Sequence, residues 1–237
     1  MTWRGWLAFL GVLALIGGGV WGWSAWIDAE ERAEEDAAAA RREERTREAE
    51  ERVGRLIEES RELMPEVVEG AALGMHVDEV RAARAPRITP SGPRSGGPLM
   101  MYEERLPNGG QVMYGFDPQS QRLVQVQVLS LLPTVDAVAP HLAAMNERYG
   151  PPTGIWDCPT TGGVPTRRFT WRRSYTTVSD VFLIYGERVS LTLYIATSEQ
   201  IGQSLQISRC TPVTRDRIGE FPMATPEQMQ QAAQSGR

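Results

Sequence analysis

The chain has 237 residues and contains no lysine, only two histidines and only two cysteines. Arginine supplies every basic side chain, which we attribute to genome composition. His76 and His141 belong to no H-E-x-x-H or similar metal-binding spacing, so we interpret them as capping or surface residues. The sequence has neither a G-x-S-x-G nucleophile elbow nor a glycine-rich phosphate loop between a strand and a helix. It therefore predicts no catalytic, metal-binding or cofactor-binding residue and no cofactor, and it does not predict an enzyme.

The sequence also lacks an overall excess of basic charge. The formal net charge is −5, and the acidic excess lies in residues 28–62, whereas the chain after residue 62 has equal numbers of acidic and arginine side chains. Nucleic-acid binding relies on basic side chains that neutralise phosphates. Residues 167–173 form a basic aromatic segment that could bind an anionic polymer, but such charges more often protect the edge strand of a sheet. We predict no nucleic-acid partner.

Charge is absent from one long segment, residues 6–27, which consists almost entirely of Leu, Val, Ile, Ala, Gly and Trp. As a helix this segment would be about 33 Å long, enough to cross a hydrocarbon core of about 30 Å. Tryptophans at both of its ends are typical of membrane interfaces. The apolar run is longer than that of a signal peptide and no A-x-A cleavage site follows it, which favours an uncleaved signal anchor. Residues 1–27 are therefore predicted to form a single transmembrane anchor.

The charges around the span decide its predicted orientation. More arginines follow the span than precede it, which by the positive-inside rule opposes a cytoplasmic N-terminus. Most of those arginines are distant from the span, however, and its nearest flank is acidic. We therefore predict a single-pass protein of the inner (cytoplasmic) membrane, with a short cytoplasmic N-terminus and the C-terminal body in the periplasm or outside the cell.

Residues 28–64 are predicted to form a charged helical stalk, because Ala, Glu and Arg dominate and no proline interrupts them. An apolar seam covers only the second half of this segment, at Ala49, Val53, Leu56 and Leu63. That length is short of the three or four heptads that argue for a coiled coil. A lone stalk and a dimeric coiled coil are the two alternatives.

The predicted anchor contains a spacing of small residues that is typical of helix–helix association. Ala14, Gly18 and Gly22 lie four residues apart on one helix face, the small-xxx-small spacing that allows two helices to approach closely. Glycine is also simply common in membrane helices. A homodimer held through these three residues and the stalk is one alternative, and a monomer is the other.

The body contains two segments of similar pattern, residues 71–133 and 134–210, each predicted to be one helix followed by three strands. We interpret them as a duplicated unit; chance similarity between two amphipathic hairpins is the alternative. The Asn108-Gly109 pair is a strong signal for a hairpin between the first two strands. The predicted strands are residues 100–106, 111–116 and 122–130 in the first unit, and residues 167–173, 177–185 and 188–196 in the second.

These patterns together predict an α+β fold. It consists of an N-terminal transmembrane helix, a long charged helix and a tandem helix-strand-strand-strand domain with an antiparallel sheet. Helices on one face of such a sheet leave the other face available to a partner. Residues 211–237, rich in Pro, Gln and Ser near the end, are predicted to be a flexible tail.

Short motifs in the body resemble a known family. Leu73-Gly74-Met75 followed by Glu79-Val80 resembles the opening of the BamE/SmpA-like domain of outer-membrane assembly proteins, and Tyr149-Gly150-Pro151-Pro152 resembles the end of the helix in that domain. Over about residues 71–197 the tandem layout is similar to the beta-lactamase-inhibitor-protein fold. The resemblance implies an α+β domain and a role in envelope assembly.

Cys158 is predicted to lie in the loop that precedes the strands of the second unit, and Cys210 just beyond the last of those strands. A disulfide between them would close a loop of about 50 residues and stabilise the folded chain by about 4 kcal/mol in the chain-entropy model. Such bonds persist in oxidising compartments, in agreement with the predicted location of the body. We predict this disulfide; two free buried thiols are the alternative.

Two classes of function follow from these observations. The absence of catalytic motifs favours a membrane-anchored envelope protein with an extracytoplasmic domain that binds a protein partner, as an assembly factor or scaffold does. The alternative is an extracytoplasmic hydrolase or ligand-binding domain that uses a groove between the two units. An apolar, exposed sheet face would support docking, whereas convergent carboxylates or histidines beside a deep pocket would support an enzyme.

Overall fold

The computed structural model of the chain describes residues 34–85, 87–90, 99–107, 109–160 and 163–235. The predicted membrane span at residues 6–27 lies outside these ranges, as do Ala14, Gly18 and Gly22. In the part that is described, no helix is long and apolar enough to cross a membrane. The chain divides into two compact units, Met1–Arg52 and Val53–Arg237.

The described chain is an α+β protein with a large antiparallel sheet, as predicted. The α-helices are α1 (residues 34–63), α2 (Val77–Arg84), α3 (Val138–Tyr149), α4 (Ser198–Ile207) and α5 (Pro226–Ser235). The strands are β1 (Ile88–Pro90), β2 (Met100–Arg105), β3 (Gln111–Phe116), β4 (Leu123–Leu132), β5 (Gly154–Pro159), β6 (Pro165–Arg172), β7 (Thr176–Tyr185), β8 (Arg188–Thr197) and β9 (Thr211–Pro212).

All nine strands belong to one sheet, in the order β1-β2-β3-β4-β8-β7-β6-β5-β9. Neighbouring strands are antiparallel throughout. Strands β4 and β8 pair from Gln125 opposite Ala196 to Leu132 opposite Val189. We call this pairing the seam, because it joins the strands of the first half of the body to those of the second half in one continuous sheet.

The six strands predicted from the sequence are confirmed as β2, β3, β4, β6, β7 and β8, and so is the hairpin between β2 and β3. Strands β1, β5 and β9 and helices α4 and α5 were not predicted. The sequence does contain a signal for the start of α4, because Thr197 to Gln200 match the Thr-x-x-Gln pattern of a capping box. Thr197 is the N-cap of α4, and the Thr197 hydroxyl accepts a hydrogen bond from the Gln200 N–H. Helix α4 therefore follows β8 without a loop.

The two faces of the sheet differ because side chains alternate along each strand. The core face packs against the end of α1, against α2 and against α3. The other face, which we call the open face, carries α4 over part of its area, as shown by the Arg168 to Ser204 and Thr177 to Ser198 hydrogen bonds. Buried side chains of the core face include Val112, Tyr114, Phe116, Val126, Phe169, Trp171, Val178, Phe182 and Ile195.

The C-terminal part of α1 belongs to the same compact unit as the sheet, which begins at Val53. The predicted stalk ended at residue 64 and the predicted body began at residue 71, yet Leu63, Met64 and Val68 are buried in the core cluster. The Ser60 hydroxyl accepts a hydrogen bond of 2.9 Å from the Leu73 N–H. Residues 53–70 are therefore part of the folded body as well as a connection to the stalk.

Helix α2 begins with a capping box. The His76 side chain accepts a hydrogen bond from the Asp78 N–H, and the Glu79 carboxylate accepts one of 2.6 Å from the His76 N–H. The capping role predicted for His76 is confirmed. Since each bond satisfies an N–H that has no partner within the helix, this pair fixes the position where α2 starts.

The segment after Cys210 contains β9, a 3-10 turn at Arg215–Arg217 and helix α5. Residues 211–237 had been predicted to be a flexible tail. Phe221 packs against Phe169 and Phe182 of the core face, with ring centroids 6.1 and 6.0 Å apart. The first part of this segment thus contributes an aromatic side chain to the core.

Candidate functional site

The seam places uncharged side chains on the open face. We use the name seam patch for six of them, on β4, β7 and β8, that no helix covers completely. Leu131 is 80 % exposed and the others are half-buried. Strand register places Ser190 of β8 between Leu131 of β4 and Leu183 of β7. In the same way, Thr192 lies between Leu129 and Val181. The members of the seam patch are Leu129, Leu131, Val181, Leu183, Ser190 and Thr192.

The disulfide between Cys158 and Cys210 is present, as predicted from the sequence. The two Cα atoms are 4.2 Å apart. Cys158 lies in β5 rather than in a loop, and Cys210 follows the end of α4. The bond therefore ties the C-terminal end of α4 to an outer strand of the sheet.

Replacing Cys158 with serine should lower the free energy of unfolding by about 2 to 4 kcal/mol, because the bond closes a loop with a sequence separation of 52 residues. Urea denaturation of the oxidised protein and the variant measures this difference. Reduced wild-type protein is the matched control and should unfold like the variant. Equal stability of oxidised and reduced wild-type protein would contradict the prediction.

Arg167 and Arg168 do not protect an edge strand, so this interpretation of residues 167–173 was wrong. Strand β6 lies between β7 and β5, in the interior of the sheet. Arg167 is fully buried on the core face and forms an ion pair of 2.7 Å with Asp157. Its guanidinium also donates to the backbone carbonyls of Arg217, Ile218 and Glu220. This arginine therefore anchors the segment after Cys210 to the sheet.

Arg168 points to the open face, beneath α4, and is only 7 % exposed. One of its terminal nitrogens donates to the Ser204 hydroxyl at 3.1 Å, and its guanidinium carbon lies 5.3 Å from the centre of the Tyr194 ring. Burial lowers the pKa of the Arg168 guanidinium, and the neighbouring Tyr194 acts in the opposite direction. Among the described residues, no carboxylate forms an ion pair with Arg168.

His141 of α3, whose side chain is 25 % exposed, forms a pair with the buried Asp180 of β7. The distance from His141 Nε2 to Asp180 Oδ2 is 2.8 Å, and Asp180 is fully buried. Burial raises the pKa of Asp180, while the hydrogen bond and charge of His141 lower it and only partly offset the burial. Because the pKa is raised on folding, the stability associated with protonated Asp180 is present below about pH 4 and is lost as the pH rises through the folded-state pKa. His141 does not cap α3, whose N-cap is Ala137, but its side chain is partly exposed at the surface as well as paired with Asp180.

A second buried network connects α2 to the sheet. Arg84 forms two hydrogen bonds with Glu104, of 3.0 and 2.7 Å, and the Tyr114 hydroxyl donates to Glu104 at 2.7 Å. Arg84 also donates to the carbonyls of Val67 and Glu69. Burial and the hydrogen bond to Glu104 raise the pKa of Tyr114, so the phenol stays a donor. The Glu104 carboxylate is thus the acceptor for three donors, all inside the protein.

Grouped metal ligands or a deep pocket with acidic or basic side chains would support an enzyme. Within the ranges that the structure describes, no three of the His, Cys, Asp and Glu side chains are grouped so that they could hold a metal ion. An open groove of about 530 Å³ adjoins Arg84 and is lined also by Glu66, Glu69 and Arg87. The Arg84 guanidinium is already bound to Glu104. The side chains that this groove offers to a ligand are therefore mainly the surface residues around it.

Comparisons with known protein families, with characterised proteins and with solved structures found no match to this chain. The described residues themselves form an uncharged patch on the seam, a disulfide and three networks of buried or partly buried charged side chains.

Proposed function

We propose that this chain is a membrane-anchored envelope protein whose C-terminal domain lies outside the cytoplasm and docks on another protein. The seam patch is the observation that carries the proposal. Four of its six side chains are apolar, and one of these, Leu131, is 80 % exposed. Contiguous exposed apolar side chains on a folded domain mark interaction surfaces.

The chemistry of the patch indicates the kind of partner. Protein interfaces are depleted of charged residues at their centre, as the seam patch is. A lipid surface with anionic headgroups would instead attract basic side chains. We therefore propose a protein partner that presents an uncharged, apolar surface of its own, with Leu131 as the side chain that enters it.

The disulfide supports the proposed location of the domain. A bond between Cys158 and Cys210 persists in an oxidising compartment and would be reduced in most cytosols. The apolar segment at residues 6–27 would supply the membrane anchor and the acidic helix after it would separate the domain from the bilayer.

The order of the sheet supports the proposal that the body is a tandem of two similar units. Strands β2, β3 and β4 are consecutive neighbours, and so are β6, β7 and β8, with β4 and β8 meeting at the seam. Two copies of one helix-strand-strand-strand unit related by a two-fold axis would have this arrangement. The resemblance to BamE/SmpA-like domains and their role in envelope assembly stays a prediction that agrees with this layout.

The alternative from the sequence was a hydrolase or ligand-binding domain that uses a groove between the two units. At their junction the backbones of β4 and β8 are hydrogen-bonded to each other. The junction is therefore the interior of a sheet, and this geometry favours docking on the sheet over binding in a groove between the units.

The test compares two exposed apolar residues in the full-length protein. Leu131→Glu introduces a charge into the seam patch and should reduce the recovery of a cross-linked partner by about tenfold or more, because an unpaired charge would be buried. The measurement is photo-cross-linking from Thr192 in cells of the native host, followed by identification of the captured protein by mass spectrometry.

Ile207→Glu is the matched control, since Ile207 is 82 % exposed and lies outside the patch at the end of α4. This variant should recover the same partner as the wild type. Equal recovery from the Leu131 variant would contradict docking at the seam patch. A cross-link only to a second copy of the chain would contradict a heterologous partner.

A further inference from the structure

The buried charge of Arg168 has no carboxylate to neutralise it among the described residues. The acidic side chains of the neighbouring strands are engaged elsewhere: Asp157 pairs with Arg167 and Asp180 with His141, both on the core face. On α4, Glu199 accepts a hydrogen bond from Gln203. Tyr194, beneath the guanidinium, stays a neutral phenol because burial raises its pKa. The last turn of α4 supplies only a partial negative charge.

Three hydrogen-bond donors on the open face are buried without a partner among the described residues. They are the Arg168 Nε–H, the Ser179 hydroxyl and the Trp156 indole N–H. Such orphan groups are rare in folded proteins and, where several occur together, they point to an unseen water or ion. All three side chains lie on the open face of the sheet, on β5, β6 and β7.

The strand register places these donors on three neighbouring strands of the open face. Ser179 lies opposite Thr170 on one side and Tyr194 on the other. Arg168 starts from β6 and reaches the Tyr194 ring on β8, so its side chain crosses β7, the strand that carries Ser179. Trp156 lies directly opposite Arg168, and its indole nitrogen is next to Gly154, where an added Cβ would be 2.7 Å away. Directly opposite residues have Cβ atoms about 5 Å apart.

From this geometry we infer that the space between the sheet and α4 is a binding site for a small inorganic anion of the halide class. Arg168 Nε and Ser179 Oγ donate to the anion, and Trp156 Nε1 is the third donor. A water molecule could satisfy the hydroxyl and the indole, but it would leave the guanidinium charge without a counter-charge in a buried position. A halide accepts hydrogen bonds from the donors and also neutralises the charge of the guanidinium.

The disulfide has a part in this site. Cys158 is two residues from Trp156 on β5, and its bond to Cys210 holds the end of α4 over the polar groups. Ile201, 4 % exposed, packs on the inner side of α4. The site is therefore enclosed by α4, and the anion exchanges when this helix opens locally.

Chloride is the probe for the test. Thermal unfolding of the full-length protein in detergent is measured over a chloride series, with sodium gluconate keeping the ionic strength constant. We expect the Tm to rise with chloride concentration, by about 5 to 10 °C at a concentration one hundred times the Kd. A Tm that does not respond to chloride would overturn the proposal.

Two variants show whether Arg168 carries the effect. Arg168→Met should raise the half-saturating chloride concentration by about tenfold or more, since a charged donor is lost. Arg172→Met is the matched control: Arg172 is on the same strand and the same face but is exposed, and its variant should respond like the wild type. An unchanged chloride response in the Arg168 variant would overturn the proposal.

A second measurement covers the case in which the Arg168 variant does not fold. Line broadening of the chlorine-35 NMR signal by the wild-type protein reports bound chloride directly and should be reversed by bromide. Ser179→Ala should weaken this broadening, whereas Ser190→Ala, at the seam patch, should leave it unchanged. Broadening that is equal in the wild type and the Ser179 variant would contradict the assigned site.

Discussion

Replacing Glu104 with glutamine should lower the free energy of unfolding by about 3 to 5 kcal/mol, the range for removing one partner of a buried ion pair. The pair is buried on both sides, with side-chain exposures of 7 % for Arg84 and 0 % for Glu104. Glutamine has nearly the shape of glutamate, so packing is kept. The loss therefore reports the guanidinium left without its counter-charge.

Urea denaturation at neutral pH measures this loss, and the neighbouring Glu103 offers the control. Glu103 is on the same strand but faces the other side of the sheet, where its contact with Arg105 is 3.5 Å and Arg105 is 90 % exposed. Glu103→Gln should change stability by no more than about 0.5 kcal/mol. If both variants lost the same amount, the Arg84 network would not be the cause.

A fragment of residues 71–237 should fail to unfold cooperatively, whereas the fragment Val53–Arg237 should fold. The shorter fragment lacks Leu63, Met64 and Val68, which are nearly or fully buried in the core. Each such side chain contributes about 1.5 to 3 kcal/mol by burial, so their sum is comparable to the whole net stability of a domain. The sequence had predicted that the body folds from about residue 71.

Polar contacts add to this loss. Glu59 accepts hydrogen bonds from the backbone N–H groups of Tyr175 and Thr176, at 2.9 and 2.7 Å. These residues form the connection between β6 and β7, so the fragment without α1 also loses the contacts that hold this turn. Circular dichroism during thermal unfolding of both fragments is the measurement. A sharp transition of the shorter fragment would show that residues 53–70 are dispensable.

The strands on which the fold depends could be predicted because their side chains alternate strictly. Residues Val124 to Val128 alternate between apolar and polar side chains, and the structure places them in β4 with Val126 buried on the core face. The alternation shows which residues share a face, but it does not show which strands are neighbours. The seam between β4 and β8 joins parts of the chain that are far apart, and only tertiary packing decides that pairing.

The same limitation explains the wrong interpretation of residues 167–173. A charged strand is expected at the edge of a sheet, where water solvates its arginines. Here β5 and β9 continue the sheet beyond β6, and Arg167 is satisfied by Asp157 and by three carbonyls of a distant segment. No local sequence pattern predicts which carbonyls accept hydrogen bonds from Arg167, because every residue has the same backbone carbonyl.

The disulfide between the two cysteines could be predicted from the number of cysteines alone. With only Cys158 and Cys210 in the chain, there is a single way to form a bond. The prediction that Cys158 lies in a loop was wrong, because Cys158 is part of β5. Glycine and proline are typical of turns, and Gly154 and Pro159 at the two ends of β5 made this strand look like a loop in the sequence.

The seam also sets the order in which the chain can fold. Hairpins such as β2–β3 and β7–β8 close short loops and form early, whereas β4 cannot pair with β8 until the whole second half of the body has been synthesised. During this interval β4 is an unpaired edge with Leu129 and Leu131 exposed, a template for association with other chains. A protein with this topology depends on rapid completion of its second half, or on a chaperone that covers β4 until β8 arrives.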